Sequence, residues 1–452
     1  MTVSPEQAVY TLVVGLGKTG LSVVRYLRAL GEAVVVVDSR DIPPGLAELK
    51  SEYADVDCFT GRFDTSLFVK AHRIIVSPGV ALSESALVEA KNNNIEIIGD
   101  IDLFSHEVQA PVVGITGSNG KSTVTTLLAL MAERAGKNAV AGGNIGLPVL
   151  DALDDDVDLY VLELSSFQLE TLQYLPMKAA VVLNISADHM DRYKDVSAYA
   201  SSKQAIYENA DVLVLNKDDA LASGISVRAK SQIRFTLNKP AENEFGLIEN
   251  EGGVSALYFG SQPLIAVDKL SIKGSHNLQN ALAALALGYA VGLPIDKMVD
   301  TLKDFKGLPH RTQFVARKNG VDWINDSKAT NVGATIAALE GLPGKHVLIA
   351  GGDAKGADFS ELTSVIKQHC RAVVLIGKDA ARIASVVPEE IIIEQAVDMR
   401  SAVLAAQAFS QPGDSVLLAP ACASFDMFNG FEHRGDVFVT AVEELLAEVS
   451  MS

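Results

Sequence analysis

At 452 residues the chain is longer than one compact core organises, which predicts two or three domains. Hydrophobic residues make up 48% and charged residues 21%, the balance of an ordinary soluble α/β protein. The formal charge of -18 argues against a nucleic-acid partner, which needs a concentrated basic surface. It leaves room for a nucleotide ligand, because a few lysines, arginines and helix ends can hold one locally.

The chain starts without a basic segment, and its first apolar stretch meets Gly15 within a few residues. That pattern predicts a buried strand over 9–14 rather than a signal peptide. No apolar run approaches the ~20 residues needed to cross a bilayer, so a cytoplasmic protein without membrane contact is expected. A helix over 21–30, a strand over 33–38 and another over 73–76 follow, a βαβ series that implies a parallel sheet with helices on both faces. Between the first strand and helix lies Gly15-Leu16-Gly17-Lys18-Thr19-Gly20, with Asp38 at the end of the next strand. This is the dinucleotide fingerprint: a diphosphate on the helix N-terminus and a carboxylate near the ribose. Taken alone the pattern favours NAD(P), though a sugar nucleotide carrying a pyrophosphate suits the same turn. A glycine turn serving only helix–strand packing is the bland alternative.

Asn92-Asn93-Asn94 and Gly99-Asp100 close this segment, and a second α/β series opens at Pro111. The run Ile115-Thr116-Gly117-Ser118-Asn119-Gly120-Lys121-Ser122 follows a short apolar strand and leads into a helix. Backbone N–H groups of such a bend point inward, the helix start adds positive potential, and the lysine reaches outer phosphates. The Ser122 hydroxyl is placed to ligate Mg²⁺. The usual pattern G-x-x-x-x-G-K-[ST] asks for glycine at position 115, and here it falls one step earlier, at Gly114. A triphosphate loop behind a diphosphate-binding turn shifts the first reading away from NAD(P), toward a kinase or ligase acting on a nucleotide-activated substrate.

Further strands are expected over 160–163, 179–184 and 212–216. Short alternating runs over 245–270, broken by Gly252-Gly253 and Gly260, predict an antiparallel hairpin insertion. An Ala/Leu helix over 277–291 follows, and Gly307-Leu308-Pro309 marks the next boundary. The last segment alternates again, with strands over 346–350, 372–376 and 415–419. The parse is three α/β domains over 1–99, 100–307 and 308–452, the central one with a parallel sheet plus a small antiparallel portion. Cys58, Cys370 and Cys422 are far apart and odd in number, so neither a disulfide framework nor a zinc site is implied.

Several polar residues stand out. Glu163 ends an apolar strand beside the phosphate loop and suits Mg²⁺, or a helix cap. His189 reads as a packed or surface histidine, or as a ligand. Lys203, in Ser201-Ser202-Lys203-Gln204, reads from composition as a surface lysine. Asn144, flanked by glycines, and Asn277 read as loop amides aimed at ligands, or as left-handed turn residues.

Taken together, the run 114–122, Glu163-Leu164-Ser165-Ser166-Phe167-Gln168-Leu169, Asn184-Ile185-Ser186-Ala187-Asp188-His189-Met190-Asp191-Arg192 and Gly274-Ser275-His276-Asn277 resemble the Mur ligases. These are bacterial ATP-dependent amino-acid ligases of peptidoglycan precursor synthesis. Gly307 to Arg311, Asn325 to Asn331, Gly351 to Lys355 and Ser424-Phe425-Asp426 fit the same family, so the resemblance spans essentially the whole chain. It implies a Rossmann-like UDP-binding domain, a central ATPase domain and a C-terminal Rossmann-like domain. The wording of the motifs matches the family's D-glutamate-adding branch, which acts on UDP-N-acetylmuramoyl-L-alanine through an acyl phosphate.

The resemblance also assigns residues. ATP falls to Gly117, Ser118, Asn119, Gly120, Lys121, Ser122 and Thr123, with Asn277 and Asn280 at the adenine side, Arg311 at phosphate and Asp326 at ribose. Two Mg²⁺ ions fall to Ser122, Glu163, His189 and a carbamylated Lys203, with Lys121, Glu163, His189 and Lys203 as the catalytic set. The UDP substrate falls to Lys18, Thr19, Asp38, Ser39, Arg40, Ser77, Gly79, Asn144 and His189. D-glutamate falls to Lys328, Thr330, Lys355, Ser424 and Phe431. Lys18 departs from the family pattern, which carries an apolar residue there. A monomer is expected. The competing readings are another Mur enzyme or a folylpolyglutamate synthase, which the diphosphate-binding turn disfavours, and an NAD-dependent oxidoreductase, for which no hydride-transfer cluster is visible.

Overall fold

The computed structural model describes residues 9–224, 231–250 and 253–448. Residues 1–8 and Gly252, which entered the readings of the N-terminus and of the hairpin, lie outside them. Three sheets follow one another along the chain. The first comprises β1 (Thr11–Val14), β2 (Val34–Asp38), β3 (Asp57–Thr60), β4 (Arg73–Val76) and β5 (Glu96–Ile98), in the order β3-β2-β1-β4-β5 and parallel throughout. β1 and β2 are buried along their whole length, as continuous apolar runs between two helix layers must be. The first helix, Lys18–Ala29, starts earlier than its apolar periodicity indicated.

The second sheet has nine strands: β6 (Val112–Thr116), β7 (Ala139–Gly143), β8 (Leu159–Glu163), β9 (Met177–Val182), β10 (Ala210–Asn216), β11 (Ser231–Phe235), β12 (Glu244–Glu249), β13 (Ser255–Phe259) and β14 (Gln262–Ala266). β7 to β12 run parallel, and β12, β13 and β14 form an antiparallel meander. The predicted hairpin is therefore not an insertion; it continues the parallel sheet at one edge. β6 feeds two cores by alternation. Val113 and Ile115 face one side with Leu127, Leu128 and the helix Ser275–Ala290, while Val112 faces the other with Phe104, Tyr160 and Met177. A Cβ on Gly114 would lie 2.4 Å from Met177 Sδ and 3.0 Å from Ile206 Cδ1. The displaced glycine is thus a strand residue required by packing, not a member of the phosphate loop.

Phe104, on the helix Asp100–Glu107, packs edge-on against Tyr160 at 5.1 Å, so the first and second units share one apolar core. Arg25 pairs with Asp151, and Tyr26 Oη donates to Glu107 at 2.7 Å across the same seam.

The third sheet contains β15 (Gln313–Lys318), β16 (Val321–Asn325), β17 (His346–Gly351), β18 (Cys370–Ile376), β19 (Ile392–Gln395) and β20 (Ser415–Leu418), in the order β15-β16-β20-β17-β18-β19 with β15 antiparallel. The loops leaving β16, β17 and β20 open on one end, where parallel α/β sheets gather binding residues. Arg434, on the helix Phe431–Glu448, is fully buried and ties two of these loops. It donates to Ser327 Oγ at 3.0 Å, Ser327 O at 2.8 Å and Cys422 O at 3.1 Å, and burial pushes its guanidinium down to about 10. Removing it strands three acceptors and leaves a cavity. Arg434→Ala is expected to lower stability by about 3 kcal/mol in urea unfolding. A loss below about 0.5 kcal/mol, as at an ordinary surface site, would show that these loops do not depend on it.

Candidate active site

β6 ends at Thr116, and the chain bends through Gly117–Gly120 into the helix Lys121–Arg134. Gly120 caps that helix at φ +84°, and a Cβ there would lie 2.3 Å from Asn280 Oδ1. Glycine is needed for both reasons. Lys121 Nζ donates to Gly117 O at 2.8 Å and to Ser118 O at 2.9 Å, so the lysine lies over its own loop. Burial lowers its pKa, while Glu163 and Asp188 pull the other way.

Beside it sits a closed polar network. Ser122 Oγ donates to Glu163 Oε2 at 2.6 Å and accepts from Arg311 Nη2 at 2.6 Å. Asn144 Nδ2 donates to Glu163 Oε1 at 2.8 Å, and Asn144 N donates to Glu163 O at 2.8 Å. Glu163 is only 2% exposed and caps no helix; Ser165 caps the helix Ser166–Thr171 instead. No three His, Cys, Asp or Glu side chains converge as a metal cluster among the described residues. Ser122 and Glu163 nonetheless fit Mg²⁺, which takes one or two hard oxygens from protein and completes its shell with phosphate and water.

His189 adopts φ +56°, a left-handed backbone that a non-glycine residue holds only where its surroundings fix it. Asp188 Oδ1 fixes it by accepting from His189 N at 2.9 Å, and the ring meets Phe167 edge-on at 4.8 Å. Burial, followed by Lys355 and Lys121, lowers the imidazole pKa against the pull of Asp188, favouring the neutral, ligand-competent ring. Lys203 overturns its compositional reading: it is 1% exposed, on the inner face of the helix Val196–Gln204. Its Nζ lies 3.5 Å from Thr116 Oγ1 and 4.6 Å from the Tyr199 ring centroid. Burial, reinforced by Lys121, drives its pKa well below the usual lysine range. Local polarity misled because tertiary packing, not the flanking serines, decides which face of the helix is covered.

The third unit supplies the far wall. Arg311 is half-buried with its pKa lowered by desolvation, and Asp326 is pushed up to about 6 by burial. Lys328 Nζ stands 3.8 Å over the Phe431 ring, and burial together with Arg311 and Lys121 brings it down to about 8. Lys355 has φ +47°, and Ser424 is 2% exposed.

Three recesses join these parts. A cleft of about 830 Å³ is lined by Lys18, Thr19, Asp38, Ser39 and Arg40 on one side and by Ser122, Asn144 and Glu163 on the other, with Ser77 and Gly79 between. One of about 470 Å³ holds Ser118, Lys121, His189 and Lys203 opposite Thr330, Lys355, Ser424 and Phe431. A small recess of about 80 Å³ lies among Asn119, Gly120, Thr123, Asn277, Asn280 and Asp326. Arg311 and Lys328 line all three. The structure thus gathers every expected site residue except Gly117, which contributes its carbonyl behind Lys121.

Asp38 lines the cleft and is also hydrogen-bonded within its own unit. Its Oδ2 accepts from Leu16 N at 2.7 Å and Arg40 Nη2 at 2.6 Å, and its Oδ1 from Arg40 N and Nε at 2.9 Å. The carboxylate thus shapes the turn and aims Arg40. Two residues escaped sequence reasoning. Arg192 stacks on Phe167 at 4.0 Å and donates to Glu170 Oε2 at 2.7 Å and Pro78 O at 3.1 Å, linking the His189 loop to the first unit. Tyr199 lies one helical turn before Lys203, a spacing that could have marked it as sharing that face.

Against known proteins, the chain matches the Mur ligase MurD-like N-terminal domain over residues 9–99, the Mur ligase middle domain over 115–288 and the Mur ligase glutamate ligase domain over 310–422. It belongs to the Mur ligase family. It is 51% identical over 446 residues to the UDP-N-acetylmuramoylalanine–D-glutamate ligase of Nitrosococcus oceani, covering 98% of each chain. It is 50% identical over 440 residues to the protein of that name from Pseudomonas aeruginosa, covering 96% of this chain and 98% of that one. Among solved structures, UDP-N-acetylmuramate-alanine ligase MurC from Thermotoga maritima gives a TM-score of 0.60 at 18% identity, over 97% of this chain and 100% of that one. MurF from Acinetobacter baumannii also gives 0.60 at 18% identity, over 97% and 92%. These two establish the three-unit α/β fold.

Proposed function

We propose that this chain is the ATP-dependent ligase that joins D-glutamate to UDP-N-acetylmuramoyl-L-alanine in peptidoglycan precursor synthesis, releasing ADP and phosphate. The observation that carries the reading is the meeting of three recesses at Arg311 and Lys328, over the phosphate loop. Identity near 50% across nearly full length to relatives of that name supports it over another Mur activity and over a folate ligase.

Residues 1–99 hold the UDP moiety, with the diphosphate at the Gly15–Gly20 turn and the start of the helix Lys18–Ala29. Lys18 stands exposed at that start, in the cleft wall. Residues 100–307 hold ATP, with adenine in the small recess at Asn277 and Asn280, while Asp326 of the third unit meets the ribose. Residues 308–452 present D-glutamate, whose two carboxylates suit Lys328 and Lys355 with Ser424 and Thr330. The L-alanyl carboxylate then lies at the inner end of the large cleft, near Asn144 and His189.

A carboxylate oxygen is a poor leaving group. The substrate carboxylate therefore takes the γ-phosphoryl group, breaking the β,γ bridge of ATP and forming an acyl phosphate. The D-glutamate amine attacks that carbonyl, the amide forms, phosphate leaves with the C–O electron pair, and the amine proton passes to solvent. Three anionic groups must be crowded together, and Lys121 and Arg311 lower that cost from fixed positions. Mg²⁺, held by Ser122 and Glu163 and by His189 with carbamylated Lys203, would neutralise the remaining charge. Carbamylation needs a neutral amine, which burial provides at Lys203, and it turns an ammonium that would repel metal into an anion. Every group in this account comes from one chain, so a monomer suffices, and the nucleotide substrates place it in the cytoplasm.

ADP release is expected to require UDP-N-acetylmuramoyl-L-alanine and D-glutamate together. L-glutamate, with its amine misdirected, should react at least about a hundredfold more slowly. Comparable turnover with L-glutamate, or with folate and L-glutamate, would refute the assignment. Lys203→Ala is expected to lose at least about a hundredfold in kcat and to regain part of it in added acetate, whose carboxylate fits the vacated space. Full activity of the variant without acetate would reduce Lys203 to a packing residue.

A further inference from the structure

Asn331 caps the helix Val332–Gly341, its Oδ1 accepting from Ala334 N at 2.8 Å. One residue on the third unit ordinarily needs nothing more. Here the Nδ2 end of the same amide donates to Asn119 Oδ1 at 3.3 Å and to Asp188 Oδ2 at 3.2 Å. Asn119 Nδ2 returns a long bond to Asn331 Oδ1 at 3.5 Å. Asn331 is 7% exposed, so these bonds form where water competes little.

Both partners lie on the second unit, in loops that line the site. Asn119 is the tip of the phosphate loop, held from behind by Asn184, whose Oδ1 accepts from Asn119 N at 2.8 Å and whose Nδ2 donates to Asn119 O at 3.1 Å. Asp188 is the carboxylate that fixes the left-handed backbone of His189. Two residues beyond Asn331 there is no slack either, since a Cβ on Gly333 would lie 2.8 Å from Ser186 Oγ. The chain between Asn331 and Lys328, which also carries Thr330, lines the recess that takes the amino acid.

We propose that Asn331 is a positioning residue. It registers the third unit on the phosphate loop and the His189 loop at once, so that the incoming amine and the activated carboxylate meet in line. The proposal rests on the ligase reading, and it assigns Asn331 no contact with substrate. It also differs from capping alone, because a cap needs only the oxygen while registration needs the N–H₂ group.

That division supplies the test. Asn331→Asp keeps an oxygen for Ala334 N, and Asp caps as well as Asn. It has no hydrogen to give, and it sets a negative charge against Asp188. Expected are a lowered melting midpoint, because the new charge faces Asp188 where little water intervenes, an unchanged Kd for UDP-N-acetylmuramoyl-L-alanine by isothermal titration without ATP, and a fall in kcat of about tenfold or more, the scale of a lost charge-assisted hydrogen bond. Asn331→Ser, which caps but is too short to reach either partner, should keep the midpoint and lower kcat in the same direction; it decides the matter because the aspartate variant melts early. Wild-type kcat in a variant that keeps the melting midpoint overturns the proposal. Wild-type turnover with D-glutamate tests the ligase reading separately, and the ratio of variant to wild type tests this one.

Discussion

Crowded positive charge in a partly buried cleft is the constraint on which the rest of this molecule depends. The chain carries a formal charge of -18, yet Lys121, Lys203, Arg311 and Lys328 converge around one phosphate loop. Burial lowers the pKa of each, and the cations lower one another: Lys121 depresses both Lys203 and Lys328, and Arg311 depresses Lys328. Glu163 and Asp188 offset Lys121 and Lys203, and Glu163 and Glu432 offset Arg311 and Lys328, with Asp326 also acting on Arg311. Such a site favours anions strongly, and a triphosphate with two carboxylate-bearing partners supplies the opposing charge. The same crowding explains why Lys203 is suited to neutrality and carbamylation while Lys121, which keeps two carbonyl acceptors, is suited to remain a cation.

How the units are joined follows the division of labour. The first and second share an apolar core through Phe104 and Tyr160, reinforced by Arg25–Asp151 and by Arg192 on Pro78 O. Apolar continuity of that kind makes one body, which suits a cleft that must hold a long nucleotide substrate in fixed register with ATP. The third unit meets the second through polar contacts: Arg311 on Ser122, His276 Nε2 and Thr312 Oγ1 at 3.2 Å, and the amide of Asn331. Polar interfaces of this sort open and close more readily than apolar ones.

Much of the fold was legible because strands buried on both faces read as continuous apolar runs. β1, β2, β4, β6, β10 and β17 are of that kind. β3 and β19 were not legible: both are short edge strands whose residues stay largely exposed, so neither alternation nor a continuous run marks them. The site was legible as motifs in order, and their glycines and hydroxyls sit where local chemistry requires. What no local rule carries is convergence. Lys203 reads as a surface residue until the helix Val196–Gln204 is laid on the sheet, and Asp38 reads as a free carboxylate until Arg40 folds back upon it. Asn331 looked like the end of a motif, and only the packed structure sets its amide between two loops of another unit.

The central claim is that this cationic cavity presses the γ-phosphate of ATP against the carboxylate of the UDP-linked substrate. A substrate carrying heavy oxygen in its alanyl carboxylate tests it directly. Mass analysis of the phosphate released in a D-glutamate-dependent turnover should find one labelled oxygen per phosphate, transferred when the acyl phosphate breaks. Phosphate free of label, with one heavy oxygen kept in the new amide and the other lost to water, would contradict the account.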